Sequence, residues 1–69
     1  MNGKLMKERR RALGMTQMQL AVAVGACSVA VVSGWERGRT VASVPKLRKL
    51  AEVLGVSMEE LLEDGEDEE

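Results

Sequence analysis

Apolar residues recur along this chain at helical intervals, and glycines close most of the runs they form. Leu5, Met6, Arg9, Arg10, Ala12 and Leu13 make a ragged amphipathic stripe that stops at Gly14, which predicts a first helix from about residue 3 or 4 to 13. Residues 1–3 look too few to contribute. Thr16 and Gln19 have the spacing of a capping box, in which the hydroxyl accepts the third amide of a new helix and the glutamine reaches back to the cap amide. A second helix therefore starts at about Thr16, with Leu20, Ala21 and Val24 on one face and Gly25 as its left-handed stop. Ser28 is the next good cap, and Val31, Val32 and Trp35 follow it before Gly38. After a loop over residues 39–44, with Ser43 or Val44 as cap, Pro45 stands where a first helical turn loses nothing by lacking an amide. Leu47, Leu50, Ala51 and Leu54 then carry a fourth helix to Gly55. Ser57 and Glu60 form a second capping box, so a short fifth helix spans about residues 58–63 with Met58, Leu61 and Leu62 facing in. The chain reads as all-α, with Met15, Met18, Leu20, Val24, Val32, Trp35, Leu47, Leu50, Ala51 and Leu54 as its core.

The stretch 16–38 has the layout of a helix-turn-helix, and it carries a family resemblance. Leu13-Gly14, Thr16-Gln17, Gly25 and Trp35-Glu36-Arg37-Gly38 occur in an order that resembles the lambda-repressor-like, or XRE (Cro/C1), family of DNA-binding domains, and the similarity continues through residues 47–62. It covers about residues 4–63. The resemblance implies a compact five-helix domain whose second and third helices form the helix-turn-helix. Between Gly25 and Gly38 this chain has one residue more than the family pattern, and the surplus falls in the turn, at Ala26 or Cys27, where it bears on the angle between the two helices. A second departure is chemical. Outward positions that usually carry polar side chains hold Val22, Ala23, Val29 and Ala30 here.

Composition bounds what else the chain can be. Sixty-nine residues make one small domain of modest stability, or one whose stability is shared with a partner chain. A single cysteine excludes an internal disulfide, and Cys27 reads as a small turn or core residue. The absence of histidine argues against zinc, no stretch is long and apolar enough for a membrane span, and the amino end lacks a signal-peptide pattern, so a cytoplasmic location is expected. The net charge of −1 conceals an asymmetry: residues 1–58 hold ten bases against three acids, a net +7, whereas residues 59–69 hold eight acids and no base. The expected organisation is a basic domain over residues 1–63 followed by a disordered acidic tail over residues 64–69, which repels itself and can compete with phosphate for the basic body.

The resemblance implies a transcriptional regulator, of repressor type, that binds double-stranded operator DNA as a homodimer through the major groove. It places Thr16, by its amide and hydroxyl, on phosphate, and Gln17 on phosphate or a base edge. Ser28, Val29, Ala30 and Ser33 fall at the positions that face bases, where valine and alanine limit direct readout to thymine methyls. Arg37, Arg39, Thr40 and Lys46 are left to hold the backbone, with Arg37 also near the bases. By the same resemblance Arg10 turns inward to pair with Glu36, and Val41, Val44, Met58 and Leu61 supply the dimer contact. An alternative keeps the fold and drops the DNA: the apolar face of the second and third helices would serve an adaptor or antitoxin-like module. No enzyme is expected, because there is no nucleophile beside a base and no metal-ligand spacing, and neither a cofactor nor a small-molecule ligand is evident.

Overall fold

The computed structural model describes residues 1–63 and contains five helices among them. They are α1 Gly3–Ala12, α2 Gln17–Val24, α3 Val29–Glu36, α4 Val44–Leu54 and α5 Met58–Leu62. The acidic segment 64–69, expected to be disordered, lies outside the described residues.

Local chemistry sets most helix ends. Thr16 opens α2 with a reciprocal box: its Oγ1 accepts from Gln19 N at 3.0 Å while Thr16 N donates to Gln19 Oε1 at 2.8 Å. Ser57 and Glu60 repeat the arrangement at α5. At the other ends, the residue after each of Gly14, Gly25, Gly38 and Gly55 donates its amide to a carbonyl five residues back, at 2.8–3.1 Å, and those four glycines have φ between 71° and 77°. This is the closure in which a left-handed residue turns the chain away and satisfies the last carbonyls. At Gly25 it brings α2 out toward Ser28, and from α2 to α3 the chain bends by 103°. That lies within the 90–120° of helix-turn-helix pairs, so the extra turn residue leaves the inter-helix geometry in the ordinary range.

Three starts differ from expectation. Ser28 has the extended backbone of a cap but its side chain makes no capping hydrogen bond, and the same holds for Ser43 before the Pro-containing first turn of α4. At α1 residues 1–3 do contribute. Asn2 Oδ1 accepts from Leu5 N at 3.0 Å, and Asn2 N donates to the Leu61 carbonyl at 2.6 Å, which ties the first helix to the last.

All five helices supply the core. Met6, Leu20, Val32, Leu50, Leu54 and Leu61 are fully buried, and Ala21, Val24, Trp35, Ala42 and Leu47 nearly so. Met15 and Ala51 pack at its margin. Met18, expected inside, is 60% exposed, as is Leu62 at 54%. The reason is shared: beyond Gln17 and Gln19, α2 carries apolar residues all round, so its pattern leaves the inward face undetermined, and burying Leu20, Ala21 and Val24 turns Met18 and Val22 outward together. In α5 Leu61 occupies the inward position, and its neighbour Leu62 must then face away.

Gly3 sets the tightest packing. It is buried, and a β-carbon there would overlap the Glu36 carbonyl and stand 2.5 Å from that of Trp35. The positive end of α1 thus sits directly on the negative end of α3, a favourable alignment of helix dipoles that only glycine permits. Gly3→Ala is expected to force these helices apart at a cost of about 2 kcal/mol. For a domain of this size that lowers the thermal midpoint by on the order of 10 °C, as followed by circular dichroism; an unchanged midpoint would mean that the contact yields freely.

Candidate nucleic-acid interface

The centre of the site is a buried charge. Arg10, on the last turn of α1, is 8% exposed, and the carboxylate it meets is buried with it. Its Nε donates to Glu36 Oε2 at 2.7 Å and its Nη2 to Glu36 Oε1 at 3.4 Å, so the guanidinium grips both carboxylate oxygens at the end of α3. Its Nη1 donates to the Met15 carbonyl at 2.8 Å, which the left-handed turn at Gly14 brings into reach. Gln17, the first residue of α2, donates from Nε2 to Glu36 Oε1 at 3.0 Å. The end of α1, the start of α2 and the end of α3 are therefore joined through one carboxylate. The Glu36 side chain is only 4% exposed.

The positions that the resemblance assigned to DNA are distributed around this hub. Ser28 and Ala30 are exposed and Val29 and Ser33 half-buried, so the leading turns of α3 present small side chains to solvent. Thr16 is exposed, but its amide is held by Gln19. The expectation that the amide captures phosphate needs correcting: the closed capping box occupies it, while the hydroxyl keeps its own proton to donate, and the amides of Gln17 and Met18 are the helix-start donors that the helix itself does not use. Gln17 likewise has its amide nitrogen engaged by Glu36.

Arg37, Arg39 and Thr40 are exposed. They follow α3 on a loop that folds back over it, with Arg39 N donating to the Gly34 carbonyl at 2.9 Å; Gly34 leaves room for Thr40, whose Oγ1 would stand 3.0 Å from a β-carbon there. Lys46 is half-buried, and its Nζ lies 3.7 Å from where a β-carbon on Gly25 would stand, beside the negative end of α2. Together with Arg48, Lys49 and one carboxylate, Glu52, it lines a groove against Val24 and Pro45. A second link escaped the sequence pattern: Arg9 Nε donates to the Leu54 carbonyl at 3.0 Å, tying α1 to the end of α4.

Of the residues assigned to a dimer contact, Val41 and Val44 are 65% and 60% exposed. Met58 is half-buried. Leu61 is fully buried in its own core and cannot face a partner, because α5 is docked by that side chain. Cys27 is an exposed turn residue, and among the described residues no group of His, Cys, Asp and Glu is arranged to hold a metal ion. No single described helix is long and apolar enough to cross a membrane.

The helix-turn-helix family model (HTH_3) matches residues 6–61, spanning all of α2 and α3 and both partners of the buried ion pair. The chain belongs to this family. It is the lambda-repressor-like, XRE-type family of DNA-binding transcription regulators, not a family of enzymes. Among solved structures, the chain is similar to a SinR protein/SinI protein complex, with a TM-score of 0.80 and 32% identity over 94% of this chain. It spans only 63% of the length of that relative. It is also similar to the restriction-modification controller protein C.AhdI from Aeromonas hydrophila, with a TM-score of 0.75 and 35% identity over 87% of this chain and 89% of that one. No curated protein sequence matches the chain.

The hub has a measurable consequence. Glu36→Ala leaves a buried guanidinium without its counter-charge and Gln17 without an acceptor, and should cost about 3–5 kcal/mol, against well under that for an exposed carboxylate such as Glu52. Urea denaturation of the two variants side by side checks this; equal midpoints would show that the pair contributes nothing to the fold.

Proposed function

We propose that the chain binds double-stranded DNA as a transcriptional repressor, with α3 in the major groove and two copies on adjacent half-sites. Its electrostatics carry this reading most directly. From residue 9 to residue 51 there are eight Lys and Arg and a single carboxylate, Glu36, and that one is buried and neutralised by Arg10. The helix-turn-helix thus offers phosphate no exposed negative charge, while Arg37, Arg39, Lys46, Arg48 and Lys49 stand around it. These cations fix register and supply affinity without reading sequence. A small domain with so few base-reading groups gains useful affinity by pairing, and the exposed Val41 and Val44 suit a modest contact that forms chiefly on DNA.

A second reading has one observation in its favour. Met18 and Val22, at i and i+4 on α2, are 60% and 74% exposed and give the domain an apolar ridge that a protein partner could cover.

Salt separates the two. With about four phosphate contacts per chain, affinity for a random duplex should fall about a hundredfold between roughly 50 and 200 mM salt in a mobility-shift titration, and Arg39→Gln should reduce the log–log slope by about one. A full operator should take up two chains cooperatively. Affinity that stays flat or rises with salt would favour the apolar interface instead.

A further inference from the structure

We infer that α3 reads the C5 methyl groups of pyrimidines, so that its sites are defined by thymine and accept 5-methylcytosine in the same place. This rests on the DNA-binding reading above and specifies what that surface distinguishes. The two leading turns of α3 present Val29, Ala30 and Ser33 at i, i+1 and i+4, preceded by the exposed Ser28. None of these side chains can form a bidentate hydrogen bond with a base pair. A serine hydroxyl bonds donors and acceptors alike, so Ser28 and Ser33 discriminate little. Gln17, the amide side chain that the resemblance places near the bases, gives one of its two N–H groups to Glu36 at 3.0 Å, which ties its amide to the buried carboxylate and leaves one N–H and the carbonyl for DNA. What remains for Val29 and Ala30 is the single apolar feature on the major-groove edge, the methyl at C5 of thymine. Cytosine lacks that methyl and 5-methylcytosine carries it at the same carbon. At the base pairs that Val29 and Ala30 face, contact is with the methyl and not with the hydrogen-bonding edge, so binding responds to cytosine methylation there, whatever Arg37, exposed just past the end of α3, reads at its own position.

The test changes the DNA and leaves the protein intact. A duplex is selected by the full chain from a random library and then prepared with deoxyuridine for thymidine, with C·G pairs replacing the selected T·A pairs, and with those cytosines methylated at C5. The uracil version should bind more weakly by about fourfold for each methyl in contact, and methylation should restore about the same factor to the cytosine version. Equal binding of the thymine and uracil duplexes, or no response to cytosine methylation, would overturn the inference. So would a selection without thymine enrichment while random duplexes still bind with a steep salt dependence, and in that case DNA binding itself stands. If no duplex is retained even at low salt, the DNA-binding reading fails first and this inference with it.

Discussion

The arrangement of this domain depends on one buried carboxylate. Glu36 closes α3, receives two guanidinium nitrogens from Arg10 on α1 and the amide of Gln17 at the start of α2, and is almost wholly removed from water. Desolvating two charges offsets most of their attraction, so the pair adds little net stability compared with a well-packed apolar replacement. Its contribution is directional. A planar fork meeting two oxygens allows little rotation, and the third arm of the same arginine, on the Met15 carbonyl, fixes the turn that leads into α2. A hydrophobic contact in the same place would leave those angles looser.

Around this hub the helix ends share the remaining work. Gly3 lets α1 stand on the final carbonyls of α3, Arg9 holds the last carbonyl of α4, and the Asn2 amide reaches α5. Each contact places a donor or a positive helix end against a helix C-terminus, where carbonyls lack partners. A chain with one aromatic residue and a short core can thus orient five short helices. The same economy leaves the outer face of α2 and the front of α3 free of structural duty, and those are the faces where valine and alanine stand in solvent.

What could be read from the sequence divides by range. The capping boxes at Thr16 and Ser57 and the glycine stops are local, complete within six residues, and all of them appear in the fold. The packing role of Gly3 could not be read, since the carbonyls it meets lie more than thirty residues away in sequence. Met18 and Leu62 depart from expectation because an apolar residue in a helix that is apolar on every side beyond its two glutamines, or beside another leucine in a helix of five residues, carries no directional signal. The pairing of Arg10 with Glu36 came from family resemblance, not from pattern: three consecutive arginines offer no local reason to choose the middle one. Its further links to Met15 and Gln17 appear only in the structure, whereas the occupation of the Thr16 amide already follows from the capping box.

If the hub acts through geometry, stability and DNA binding can be separated by replacing the whole pair. The double variant Arg10→Met, Glu36→Leu keeps apolar bulk in the same space, leaves no charge unpaired, and should remain folded, less stable than the parent by about 1–3 kcal/mol because the Met15 carbonyl and the Gln17 amide lose their partners. Its affinity for a random duplex, measured at low salt where the exposed cations are unaltered, is the direct test. A loss of tenfold or more in a folded variant is the predicted result, because the start of α2 and the end of α3 would no longer be held in one register. Binding as tight as the parent's would contradict the account and reduce the buried network to a packing detail.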